Sequence, residues 1–410
     1  MPELLNQKIV ILRAPSLGAT RDPFDGPGAA PGLESAVQNI AERAVGMTVE
    51  SDENPSSATL NALRNDPTVL GFAPAMPMKL IEPLEADAAA AAAAVTWGVK
   101  AVGADTSPFT GAGVTVSVLD TGIDATHPAF TGVNLVTKDF TGAGSADDDN
   151  GHGTHCAGTI FGRDLTGQRI GVARGVQKAV IGKVLGGPNG GSSDILATAM
   201  LWAADNGAHV ISMSLGMDFP GWVDELVNVN GLSIPAATSI ALEGYRANVR
   251  LFEQLANLLN ARASVAQTTI VVAAAGNESE RTGNPAYEIN VAPPAAAFGI
   301  TSVAALADGG GGLTVAPFSN TMATVAGPGV GVFSAWLNGG TKTISGTSMA
   351  TPHVAGVAAL WAERLLAQGP LSPVLLQSKL IASGTFKPLK AGTDPVDVGA
   401  GLVQAPTNAS

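Results

Sequence analysis

Short β-branched apolar runs alternate along most of this chain with longer stretches whose apolar residues recur every three to four positions. VTVSVLD (114–120), AVIGKVL (179–185), HVISMSLG (209–216) and TTIVVAAAGN (268–277) are of the first kind and predict buried strands. SSDILATAMLWAADNG (192–207) is of the second kind and predicts a helix, and SKLIASG (378–384) a further one before VDVGAGLVQA (396–405) closes the pattern. Strands alternating with helices predict an α/β domain: a parallel sheet with helices on both faces.

The first 83 residues have a different rhythm. KIVILRA (8–14) reads as a strand, LESAVQNIAERAV (33–45) as an amphipathic helix and MTVES (47–51) as a strand. SSATLNALRNDP (56–67) reads as a capped helix stopped by Pro67, and TVLGF and MPMKLIEP (76–83) as short extended pieces. The Pro- and Gly-rich residues 22–32 read as a loop. This β-α-β-α-β order predicts a small separate α+β domain over 1–83. An alanine-rich linker over 84–95 follows, with seven alanines from Ala88 to Ala94 that bury little. A long insert, 217–267, sits inside the larger domain of 96–410. It holds an apolar loop, MDFPGWVDELVNVNGL, and an amphipathic helix over 234–263 with Leu242, Tyr245, Val249, Phe252, Leu255 and Leu259 on one face. That helix reads first as extra packing on the core. The sharper reading is a lid or docking element, with Phe219 and Trp222 as the residues to test.

Composition narrows the possibilities. Apolar residues make up 46% and charged ones only 14% of 410 positions, which is globular rather than disordered. The net charge of −12 argues against nucleic acid and anionic membranes as partners. A single cysteine, Cys156, excludes an intrachain disulfide. No apolar run reaches membrane-spanning length. The opening MPELLNQKIVILRAP lacks a basic start followed by an apolar core, so a cytoplasmic location is expected, with secretion the alternative if a leader precedes it.

The chemistry sits in three motifs. GTSMATPHVAGVAAL (346–360) puts Ser348 at the mouth of an apolar helix, whose free N–H groups and dipole favour developing negative charge. VTVSVLDTGID (114–124) places Asp120 at the C-terminal end of a buried strand. DDDNGHGTHCAGTIFG (147–162) places His152 between two glycines at a helix start. Each alone has an ordinary reading as a cap or turn. In the order Asp, His, Ser, with these flanking residues, they resemble the subtilase family of serine peptidases, and HGTHCAG is most similar to its proteinase K branch.

The resemblance implies roles. Ser348 would attack a peptide carbonyl, His152 would carry its proton to the leaving amine, and Asp120 would orient His152. Asn277 would donate its amide to the oxyanion; losing such a donor costs on the order of 10²–10³ in turnover, a value set by subtilisin itself. Ser214, Leu215 and Gly216 would form one substrate-pairing edge, and Asn189, Gly190 and Gly191 the other. Ala274, Ala275 and Gly276 would floor the first specificity pocket, with Glu278 at its rim favouring basic residues. Residues 1–83 resemble the inhibitor-type propeptide, which implies a ferredoxin-like prodomain acting as intramolecular inhibitor and cut between Leu80 and Val95. A permanently attached domain is the alternative.

The chemistry needs no cofactor or metal. Structural calcium is common in the family, with Asp147, Asp148, Asp149 and Asp164 as candidate ligands. His155 lies on the face of His152, but a zinc pair lacks further ligands. His127, His209 and His353 read as structural. The expected function is a serine endopeptidase acting on polypeptides and made as a zymogen. A peptide ligase or cyclase using the same triad, and a non-enzymatic binding protein on the same fold, are the competing readings.

Overall fold

The computed structural model describes residues 8–15, 46–85, 94–187, 190–263 and 267–408. Strand β1 (Ile9–Arg13) pairs antiparallel with β2 (Thr48–Asp52) and with β3 (Val69–Pro74), giving the order β2-β1-β3. Helix α1 (Ser57–Asn65) starts where the Ser56 side chain accepts the Thr59 N–H at 3.0 Å and stops before Pro67. Alternation along β1 splits its side chains. Ile9 and Ile11 pack with Leu63 of α1, while Val10 and Leu12 join a core shared with the larger domain. The helix expected over 33–45 and the loop over 22–32 lie outside the described residues.

MPMKLIEP leaves this small sheet. β4 (Met78–Leu80) and β5 (Leu84–Glu85) pair instead with strands of the larger domain. The N-terminal sheet is therefore three-stranded among the described residues, and the final strand expected for a ferredoxin-like unit lies elsewhere.

After α2 (Trp97–Ala101), the main sheet is built from β6 (Thr115–Asp120), β7 (Asn134–Asp139), β8 (Lys178–Lys183) and β9 (Val210–Met213). Helix α3 (His152–Phe161) precedes β8, and α4 (Ser193–Asp205) follows it. Next come β10 (Leu215–Met217), α5 (Phe219–Asn228), α6 (Ile234–Arg262) and β11 (Ile270–Ala274). The remaining strands are β12 (Ile300–Asp308), β13 (Leu313–Val315), β14 (Val325–Pro328), β15 (Val332–Ala335) and β16 (Thr341–Ser345). Helices α7 (Thr347–Leu366), α8 (Pro373–Ala382) and α9 (Pro395–Val398) end the chain. The sheet runs β13-β12-β11-β9-β6-β8-β7, with β14 also on β12, and all its pairs are parallel except β12 with β13.

Strict alternation assigns the two faces. Val116 and Val118 of β6, Ile181 of β8 and Val272 of β11 pack with Cys156 and Ile160 of α3 and Met349 and Val354 of α7. Leu119, Val180, Ile211 and Val271 pack with Leu196 and Met200 of α4 and Phe252 and Leu255 of α6. Helices thus cover both faces, as the sequence pattern predicts, and buried parallel strands read as near-continuous apolar runs.

The expected apolar loop at the start of the insert is a helix. Asp218 caps α5 by accepting the Gly221 N–H at 3.2 Å, and Leu226 packs with Ala237 and Ala241 of α6. The insert does more than thicken the core, because α6 lies against β3. The Asn248 Nδ2 donates to the Pro74 carbonyl at 2.8 Å, and a Cβ at Gly244 would sit 2.8 Å from Met76 Sδ. Phe219 stacks edge-on to Tyr245 at 5.7 Å, and Trp222 packs beside Leu226.

Candidate active site

β6 ends at Asp120 and α3 begins at His152, and one hydroxyl ties the two together. Thr121 Oγ1 donates to Asp148 Oδ1 at 2.8 Å and accepts the Gly153 N–H at 2.9 Å. Asp148 also accepts from Asn150 N, Gly151 N, Thr154 N and Thr154 Oγ1, all within 3.0 Å, which fixes the turn ahead of the helix. Burial raises the Asp148 carboxyl, and these donors more than reverse it, so it lies below the ordinary carboxylate range. Gly153 is required here: a Cβ would meet the Gly122 carbonyl oxygen at 2.2 Å.

With both elements anchored, His152 Nδ1 lies 2.8 Å from Asp120 Oδ1, which also accepts the Thr121 N–H at 2.8 Å. Both side chains are buried. Burial lowers the imidazole's proton affinity, but the Asp120 charge overcomes it and holds His152 well above its ordinary value. His152 Nε2 is buried and has no hydrogen-bond partner among the described residues. Ser348, in the first turn of α7, is fully buried; its Oγ lies 3.2 Å from the Ile81 carbonyl oxygen and 3.4 Å from that of Ser214. Cys156 lies one turn after His152, its Sγ 3.8 Å from Nδ1, and burial raises its thiol.

Asn277 is oriented by Thr347, whose N–H and Oγ1 both donate to Asn277 Oδ1 at 2.9 Å. Its Nδ2 is thereby turned outward and donates to the Glu82 carbonyl at 3.0 Å. A Cβ on Gly346 would lie 3.0 Å from that amide. Asn320, which the sequence reading missed, holds the loop. Its Oδ1 accepts from Glu278 N and Ser279 N, and its Nδ2 donates to Ala275 O and to Glu278 Oε2. Glu278 is therefore bound back toward Gly276. Nothing in FSN (318–320) marks Asn320 in advance, since its partners lie far away in sequence.

The cleft is filled by the chain itself. β4 runs antiparallel to β10, pairing Leu80 with Leu215, Lys79 with Gly216 and Met78 with Met217. On its other side the Met78 N–H donates to Gly191 O at 2.6 Å, and Met76 exchanges bonds with Ser193. Of the residues expected for this edge, Leu215 and Gly216 pair with the segment and Ser214 lies just before β10. Its opposite edge is shifted: Gly191 to Ser193 make the contacts, Gly190 folds back toward Gly186, and Asn189 lies outside the described residues. Ala274, Ala275 and Gly276 are buried at the end of β11, and Ile81 is buried against Gly216.

The carboxylates considered for calcium do not converge. Asp148 is saturated by its donors, Asp149 pairs with Lys183 at 3.0 Å, Asp164 with Arg174 at 3.1 Å, and Asp147 accepts from Ser145. Among the described residues the one cluster of metal-type ligands is Asp120, His152 and Cys156. His155 faces the carbonyls of Val332 and Lys342, and burial drives it down to about 3. His209 and His353 are likewise lowered to about 4 by burial, each bonded to backbone, and His127 bonds Ala129 N and Gly340 O.

A mostly parallel α/β sheet with a buried Asp120–His152 pair at the end of β6, and a buried serine opening α7, defines a hydrolase-like class of fold. Residues 111–397 match the subtilase family model, and the chain belongs to that family. It is 36% identical over 309 residues to a cuticle-degrading serine protease of Arthrobotrys oligospora, covering 70% of this chain and 63% of that one. Over 312 residues it is 34% identical to an M-protease of Shouchella clausii, covering 74% and 67%. Over 276 residues it is 34% identical to subtilisin Savinase of Lederbergia lenta, covering 66% and 84%. The chain spans a little under two thirds of the first of these relatives. No described helix is long and apolar enough to cross a membrane.

Proposed function

We propose that this chain is a serine endopeptidase that hydrolyses polypeptides through Asp120, His152 and Ser348, and that its own N-terminal region holds it inactive. The observation that carries both halves is the Ile81 carbonyl oxygen lying 3.2 Å from Ser348 Oγ, just after a strand whose Leu80 and Lys79 pair with Leu215 and Gly216. In the reaction Ser348 Oγ attacks the carbonyl carbon as its proton passes to His152 Nε2. The tetrahedral oxyanion is met by Asn277 Nδ2, the amine leaves with the proton from His152, and water repeats the cycle on the acyl-enzyme. No cofactor enters these steps.

Inhibition follows from the same contacts. Asn277 donates to the carbonyl of Glu82 rather than to that of Ile81, so nucleophile and oxyanion donor engage successive residues. The segment is held one carbonyl out of step and turns over slowly. Productive alignment moves the Asn277 amide to the Ile81 carbonyl, and the bond then cut joins Ile81 to Glu82. This makes 1–81 an inhibitory prodomain and the alanine-rich residues a linker left on the mature enzyme.

The long insert is the feature on which a ligase reading would rest. It packs on the N-terminal sheet, so hydrolysis is the better-supported outcome. A non-enzymatic role is disfavoured by the complete set Asp120, His152, Ser348 and Asn277. A relative named for degrading cuticle also favours export over the cytoplasmic location expected from the first residues. Labelling by a fluorophosphonate, with product masses from one test peptide, checks the reading. Labelled Ser348 and shorter fragments are expected; an unlabelled serine, or a product lighter by one water without fragments, overturns it.

A further inference from the structure

The cleft segment presents side chains as well as backbone, and one of them has a dedicated partner. Counting back from the bond after Ile81, Ile81 and Met78 are buried, Leu80 is half-buried and Lys79 turns outward. Lys79 Nζ lies 3.0 Å from Asp218 Oδ1. Asp218 is the first residue of the insert after β10, and it is held both by the cleft segment and by its own helix. Its N–H donates to the Pro77 carbonyl at 3.1 Å, and its carboxylate caps α5 through the Gly221 N–H. Beside it runs a groove of about 400 Å³ walled by Met217, Phe219, Tyr245 and Ile289, with Glu278 at its edge. Such a groove accepts the methylene stem of a long side chain while the charged end reaches the carboxylate. Among the described residues, no lysine or arginine other than Lys79 lines it.

We propose that Asp218 makes this enzyme select a basic residue three positions before the bond it cuts. The inference rests on reading residues 77–82 as lying in the cleft as a substrate does. The insert thus extends the recognition surface outward from the backbone-pairing edge, at a position that strand pairing alone leaves unselective. Both partners are part-exposed, so the preference is modest: about two- to fivefold for lysine over alanine, with glutamate lower still through repulsion.

Three peptides test it: Met-Lys-Leu-Ile, Met-Ala-Leu-Ile and Met-Glu-Leu-Ile, each carrying an amide-linked chromophore. They are assayed with full-length protein incubated until its mass is constant. Wild type is expected to give kcat/KM in the order lysine, alanine, glutamate, with the spread shrinking in high salt. Asp218→Asn keeps the helix cap and flattens the series, and Asp218→Lys inverts it. Equal rates in wild type, or an unchanged series in Asp218→Asn, overturn the inference while leaving the peptidase reading intact. No cleavage of any peptide together with an unlabelled Ser348 overturns both.

Discussion

In the proposed reaction His152 has to be neutral to take the Ser348 proton, and its surroundings work against that. Asp120 stabilises the imidazolium strongly enough to outweigh complete burial. A base whose proton affinity is raised becomes competent only as pH climbs through a midpoint above its ordinary value of about 6.5. Self-trimming of the full chain is therefore expected to accelerate from acid to alkaline pH along a single ascending limb centred above that value. Asp120→Asn removes the charge, so the limb moves to lower pH while the plateau falls by on the order of 10⁴. Trimming rates followed by mass across pH check both parts. An unmoved limb would mean that another group controls it. Cys156 touches the same ring, its Sγ 3.8 Å from Nδ1, and burial raises its thiol.

The elements around these residues were legible where their chemistry is local. Asp120 at a strand end, His152 between glycines and Ser348 at a helix mouth each carry their context in a few neighbouring residues, and the structure pairs His152 with Asp120 and places Ser348 in the first turn of α7. What the sequence hid depends on distance along the chain. The 217–232 stretch looked like a loop because Pro220 and two glycines break its periodicity. It is helical because Asp218 caps it and α6 supplies Ala237 and Ala241 to cover Leu226. MPMKLIEP was recognisable as extended, but not as a strand of the other sheet, since strand composition does not name a partner. Asn320 is the clearest case of a hidden positioning residue. Asn320→Ala leaves the buried N–H groups of Glu278 and Ser279 without acceptors, at about 1–3 kcal/mol. In a Ser348→Ala background it is expected to lower the unfolding midpoint. In the active enzyme it is expected to lower kcat more than it raises KM, because Asn277 loses its support. A normal kcat would remove Asn320 from the oxyanion machinery.

Across the whole molecule, the N-terminal sheet is built into the fold rather than tethered to it. Val10, Leu12, Ala73 and Met76 share a core with α4 and α6, Lys8 pairs with Asp194 of α4 at 2.9 Å, and Arg13 is held within its own sheet by Glu50 and Asp66. This docking carries residues 78–80 alongside β10, and in the proposed reading a competent enzyme has to release what it has folded against. The central claim is that the chain cuts itself after Ile81 with its own serine. Intact mass and N-terminal sequencing of wild type beside Ser348→Ala test this most directly. Losing the nucleophile lowers turnover by on the order of 10⁶, the size of loss known for subtilisin itself. The account predicts a wild-type fragment beginning at Glu82 and a mutant that stays whole. A mutant trimmed at the same bond, or a wild type that never acquires that new terminus, would contradict it.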